Sequence, residues 1–181
     1  MRNSTVRPVS RQRRMTRMAI LLALMIVIQS LRFILPLPSL ILLFLIGTAL
    51  NACLICTTEL IGLSAALGLA LLMPLVAFFQ QAFFSPLFVL PALIANIIYL
   101  LSYVACSHLH ISLASGVPAL LRTLTLYAVS ALTFAFLGFN ETQAVVLQSI
   151  LSITQLATGV GGILLCRVLL TKFHASMHGS Q

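Results

Sequence analysis

Residues 1–28 read MRNSTVRPVSRQRRMTRMAILLALMIVI: six arginines (Arg2, Arg7, Arg11, Arg13, Arg14 and Arg17) followed by an apolar run that starts at Met18. Basic residues beside a membrane-spanning helix stay on the cytoplasmic side, so this stretch predicts an N-terminus inside and a first span leading outward. The run could also be a cleaved signal peptide. That reading is disfavoured because the run leads into Arg32 and Pro36 with no small-residue cleavage site, and more apolar stretches follow.

The rest of the chain agrees with a membrane setting. Of its 181 residues 61% are hydrophobic and only 7% charged, with ten Lys and Arg against two acids, Glu59 and Glu141, and a mean hydropathy of +1.15. Soluble domains carry about 25% charged residues. A basic arm for nucleic acid would need a soluble domain to present it, and none is visible, so no nucleic-acid partner is expected. The expected partner of most of the surface is the lipid bilayer.

A span needs about 20 residues. Cutting the apolar sequence at polar and proline-rich punctuation predicts an all-α membrane protein, a bundle of six helices: Thr16 to Leu35, Ser39 to Thr57, Glu59 to Phe79, Pro86 to Cys106, Pro118 to Phe139 and Thr142 to Thr171. The expected division is a basic segment 1–15, a transmembrane domain 16–171 and a tail 172–181. Six spans return the C-terminus to the cytoplasm. Arg122 then falls at the inner end of helix 5, and Arg167 and Lys172 at that of helix 6, leaving only Arg32 near the outer face.

Small residues mark where helices can approach closely. Ala19 and Ala23, four apart on helix 1, share one face near the cytoplasmic end, open either to a partner helix or to internal packing. Glycines of helices 3 and 6, among them Gly62, Gly68, Gly159, Gly161 and Gly162, suit packing within the bundle. Polar residues mark faces that should meet protein or a cavity. Gln148, Ser152, Gln155 and Gly159 form one stripe on helix 6, Gln29 and Arg32 share a face on helix 1, and Asn96, Tyr99 and Tyr103 share one on helix 4. Arg32 reads either as an anchor that snorkels to the interface or as a group facing an outer pocket.

Enzyme chemistry is not expected. The four histidines fall in the loop at His108 and His110 and in the tail at His174 and His178, and Ser64 has no base in its span. Cys53 and Cys56 form C-x-x-C without a second ligand pair, so no metal or other cofactor is expected, and structural disulfides are not. Coupling to a proton gradient commonly uses intramembrane carboxylates, and both acids fall at turns. A binding protein without coupling residues points to another subunit as its source of energy.

Over about residues 14–172 the chain resembles the substrate-binding S components of energy-coupling factor (ECF) transporters. The likeness is carried by its size and six spans, by Thr16-Arg17-Met18-Ala19-Ile20-Leu21-Leu22-Ala23 with its A-x-x-x-A spacing, by Gln29-Ser30-Leu31-Arg32 and Pro36-Leu37-Pro38, by Gly47 with Asn51, and by the segment Gln155 to Gly162. The resemblance implies an importer of a vitamin or related micronutrient in the cell membrane. It implies that Ala19 and Ala23 dock on a coupling transmembrane subunit driven by two ABC-type ATPases, and that the ligand sits near the outer face. The positions there are Gln29, Arg32, Gln80, Gln81, Asn96, Tyr127, Gln148, Ser152 and Gln155. A chain without Trp and with few pocket charges favours a small polar ligand, such as one whose carboxylate Arg32 could meet. A self-sufficient secondary transporter or channel, and a membrane assembly factor, are the alternatives.

Overall fold

The computed structural model describes residues 11–80, 86–138 and 141–178. These form an all-α membrane bundle of six helices: α1 (Arg11–Ser30), α2 (Ser39–Leu60), α3 (Leu63–Phe79), α4 (Val89–Cys106), α5 (Ile111–Phe136) and α6 (Glu141–His178). Short 3-10 turns at Leu31–Phe33 and Pro86–Phe88 finish α1 and lead into α4. Five helices are long and apolar enough to cross a membrane; α3, with 17 residues, is apolar but shorter. At 1.5 Å per residue α3 spans about 26 Å, slightly less than the hydrocarbon layer.

The turns fall where the backbone cannot continue a helix. Pro36 and Pro38 lack the amide donors a helix needs, and α2 restarts at Ser39 with the Leu42 amide donating to the Pro38 carbonyl at 3.1 Å. Between α2 and α3 the decisive residue is Gly62, whose φ of +118° is open to glycine and strained for other residues. The amides of Ile61 and Gly62 both close back on the Thr57 carbonyl. Helix 3 therefore begins at Leu63 rather than at the expected Glu59, which belongs to the last turn of α2.

Contacts between helix ends show that successive helices run in opposite directions. At the end that carries Arg11 to Arg17, Arg14 donates to Ser64 Oγ of α3, and Tyr103 Oη of α4 donates to Glu59 Oε1 of α2 at 2.7 Å. At the far end, Gln80 Nε2 donates to Ser30 Oγ at 3.0 Å, and the rings of Phe88 and Phe134 lie 5.1 Å apart. Large apolar side chains such as Ile20, Val27, Ile41, Leu132 and Ile153 are exposed on the outside, where lipid solvates them.

The most extensive packing is between α2 and α6, followed by α4 on α5 and α5 on α6, whereas α1 rests on α2 and α3 and is the least buried of the long apolar helices. The α2 and α6 backbones come together at Gly162. A Cβ there would lie 2.5 Å from Asn51 Cβ and 2.9 Å from the Ala52 amide nitrogen, so glycine is the residue this approach demands. Nearer the Arg11 end, the free thiols of Cys56 and Cys166 meet across the same two helices at 2.7 Å.

One placement corrects the sequence reading. Pro118 had marked the start of helix 5, but α5 begins seven residues earlier, at Ile111, and carries Pro118 inside it. Proline suits a first helical turn and also survives inside a membrane helix, where packing re-satisfies the freed carbonyl. The consequence is that Arg122 lies in the middle of α5, buried, and not at the inner end. The other boundaries shift modestly: α1 starts at Arg11 and α6 runs to His178, so both helices extend past the expected limits of the transmembrane domain.

Candidate functional site: a polar cluster in an apolar cavity

A cavity of about 680 Å³ occupies the half of the bundle away from Arg11 to Arg17. Its walls come from the last part of α1, α2 from Ser39 to Leu54, the end of α3, the start of α4, the middle of α5 and one position of α6. Most of the lining is apolar, including Leu42, Ile46, Leu50, Met73, Phe88 and Leu126. Volume and composition are those of a small-molecule site.

Its polar floor is organised by Arg122. The guanidinium donates through Nη1 to Asn51 Oδ1 of α2 and through Nη2 to Asn96 Oδ1 of α4 at 2.8 Å, and it lies 4.9 Å over the centroid of the Tyr99 ring. Tyr99 in turn donates from Oη to the Gly159 carbonyl of α6 at 2.7 Å. Four helices thus meet at one cation, with the aromatic face adding cation–π attraction. The Asn51 backbone is fixed by the Gly162 contact, which leaves its amide little freedom to withdraw from Arg122.

Several polar atoms in and beside the cavity have no protein partner. They are Arg122 Nε, Asn51 Nδ2, Ser130 Oγ, Gln29 Oε1, Gln80 Oε1 and Gln155 Oε1 on its lining, and Ser152 Oγ outside it. Buried polar groups normally find partners, so such a concentration marks a place where water or a ligand supplies them.

Of the positions expected to meet a ligand, Gln29, Arg32, Gln80, Asn96 and Gln155 all line this cavity. Arg32 stands at its far end, half-buried, with Nε donating to the Gln29 carbonyl at 3.0 Å. Gln148 is buried elsewhere in α6, and Ser152 likewise misses the lining. Tyr127 is exposed on the outer side of α5 and faces away. Gln81 lies outside the described residues. The sequence reading missed Arg122 and Ser130, and used Asn51 only as part of a family likeness. Arg122 could have been found from cost: a guanidinium within an apolar helix needs partners wherever it lies, and Asn51 and Asn96 were the neutral amides at comparable depth.

Among the described residues, Ala19 and Ala23 are both exposed on α1. Among the described residues, no group of three or more His, Cys, Asp or Glu is placed to hold a metal ion. No family model, curated protein or solved structure matches the chain.

Proposed function

We propose that the protein is the substrate-binding membrane subunit of an ECF-type importer, capturing a small micronutrient outside the cell and releasing it inside when an ATP-driven partner acts. The observation that carries this reading is the cavity itself: a roomy apolar chamber with unpartnered amide and guanidinium atoms, in the half of the bundle away from the basic N-terminal stretch. The positive-inside rule supports a cytoplasmic N-terminus, and with it a cavity facing outward. Arg167 and Lys172, near the other chain end, lie on the same side as Arg11 to Arg17, which supports a cytoplasmic C-terminus in the cell membrane.

Dependence on a partner is supported by the chemistry of the cavity. None of its lining residues is a carboxylate or histidine that could carry a coupling proton. The exposed Ala19 and Ala23 face offers a coupling subunit a surface for close approach, and two ABC-type ATPases would supply the work. The chain itself has no catalytic role in this reading.

The test is uptake in proteoliposomes. The chain reconstituted with its coupling subunit and ATPases should accumulate the micronutrient only with ATP, while the chain alone binds it and moves none. Accumulation by the chain alone, down or against an ion gradient, would turn the reading into that of a secondary transporter.

A further inference from the structure

The polar floor of the cavity carries a specific chemical demand. Arg122 has only 7% of its surface exposed and Asn51 3%, and both line the cavity. The partners of Arg122 are neutral: two amide oxygens and a tyrosine ring. Among the described side chains the carboxylate is Glu59, held by Tyr103, eight residues further along α2 and so about 12 Å from Asn51 along the helix axis. Among the described residues no ion pair compensates the cation, which is expensive in a membrane interior.

The free edges of this cluster are donors. A guanidinium can only donate, so its bond to Asn51 fixes that amide with the oxygen toward Arg122 and leaves Nδ2, a donor, without a partner. Arg122 Nε is a second unpartnered donor in the same cluster. Two buried donors in one cluster, one of them cationic, select an acceptor with negative charge. One cation on the cavity floor is matched by one negative charge, and the mostly aliphatic lining leaves the remainder of the guest apolar. Arg32, half-buried at the far end of the cavity, extends the same positive potential toward the mouth.

We propose that Arg122 and Asn51, with Arg122 braced by Asn96, form an anion subsite that holds the carboxylate of a small monocarboxylic acid whose apolar body fills the rest of the chamber. This rests on reading the cavity as a substrate site and specifies the substrate class. It also moves the anion anchor from Arg32 to Arg122.

The experiment uses the purified full chain in detergent and matched probes: hexanoate, octanoate and 4-phenylbutanoate, each titrated against its own primary amide by calorimetry. The amide keeps shape and apolar body and removes only the charge. At least one acid should bind ten- to a hundredfold more tightly than its amide, since a bond to a buried charge is worth more than a neutral one. Arg122→Gln should erase that preference. Because Arg122→Gln can lose folded protein, Asn51→Asp is the second variant: it sets a carboxylate against the guanidinium, supplies the missing charge from within, and should remove acid binding while the helices stay joined. If no acid binds, if acids and amides bind equally, if inorganic phosphate competes as well as the acids, or if Asn51→Asp retains the preference, the assignment is wrong. Failure of the importer reading is separate. ATP-driven uptake of a neutral solute by a chain that treats acid and amide alike removes the carboxylate and keeps the importer. Arg122-dependent acid binding by a chain that joins no coupling subunit does the reverse.

Discussion

At the scale of single residues, the unpartnered atoms include both donors and acceptors. Gln80 illustrates the acceptors: its Nε2 is committed to Ser30 Oγ, which itself donates to the Ile26 carbonyl, so its oxygen is the atom left unpartnered. Gln155→Leu and Arg32→Gln should each weaken equilibrium ligand binding by about 1 to 3 kcal/mol, five- to a hundredfold, without reducing the yield of folded protein. If Arg32→Gln binds normally while Gln155→Leu does not, Arg32 is an interfacial anchor despite lining the cavity. A second substitution probes the packing behind the cluster. Gly162→Ala forces a methyl against Asn51 and the Ala52 backbone, and should destabilise the bundle by about 1 to 3 kcal/mol, measured as a lowered midpoint of unfolding in detergent. Ligand affinity should fall with it, because the displaced residue is the one that orients Arg122.

At the scale of elements, the six helices were legible because apolar runs about 20 residues long are interrupted by residues whose effect on the backbone is unambiguous. Pro36-Leu37-Pro38 separates the first two helices, and the start of α2 at Ser39 agrees to the residue, whereas α1 ends at Ser30 and passes into a 3-10 turn before the expected Leu35. Ambiguous punctuation misled. Pro118 has the same lost donor in the first turn of a helix as within it, and only the neighbouring helices decide which position a membrane tolerates. That single choice moved Arg122 by two turns and hid the centre of the site. The helix 6 stripe divides for another reason: Gln148, Ser152 and Gln155 share a face, with Gln148 buried against protein, and the cavity lies against only the last of them. Spacing reveals which residues point the same way, not how far along the helix a chamber extends. For α1, the exposed Ala19 and Ala23 yield a prediction at this scale. Replacing both with Leu should abolish uptake in the reconstituted complex while leaving ligand affinity unchanged, since the cavity begins only at Met25, further along the helix. Loss of both properties together would mean that this face supports the bundle.

At the scale of the whole molecule, the basic stretch Arg11 to Arg17 and the cavity lie in opposite halves of the bundle. Reporter fusions at the two chain ends should both respond as cytoplasmic; an external C-terminus would invert α6 and place Arg167 and Lys172 against the positive-inside rule. The close seating of Gly162 on the backbone of Asn51 and Ala52 has a mechanical consequence. Two helices whose backbones touch without intervening side chains have no slack through which to slide, so α2 and α6 act as a fixed post. Any passage for a guest must open elsewhere, and the looser members are α1, which is mostly exposed, and α3, the shortest helix, with Pro74 at the cavity wall. Amide hydrogen exchange in lipid nanodiscs should therefore be slowest along Asn51 to Ile55 and Thr158 to Cys166, and faster in the second half of α3. Ligand should slow α3 and α1 selectively, as a door held shut against its frame.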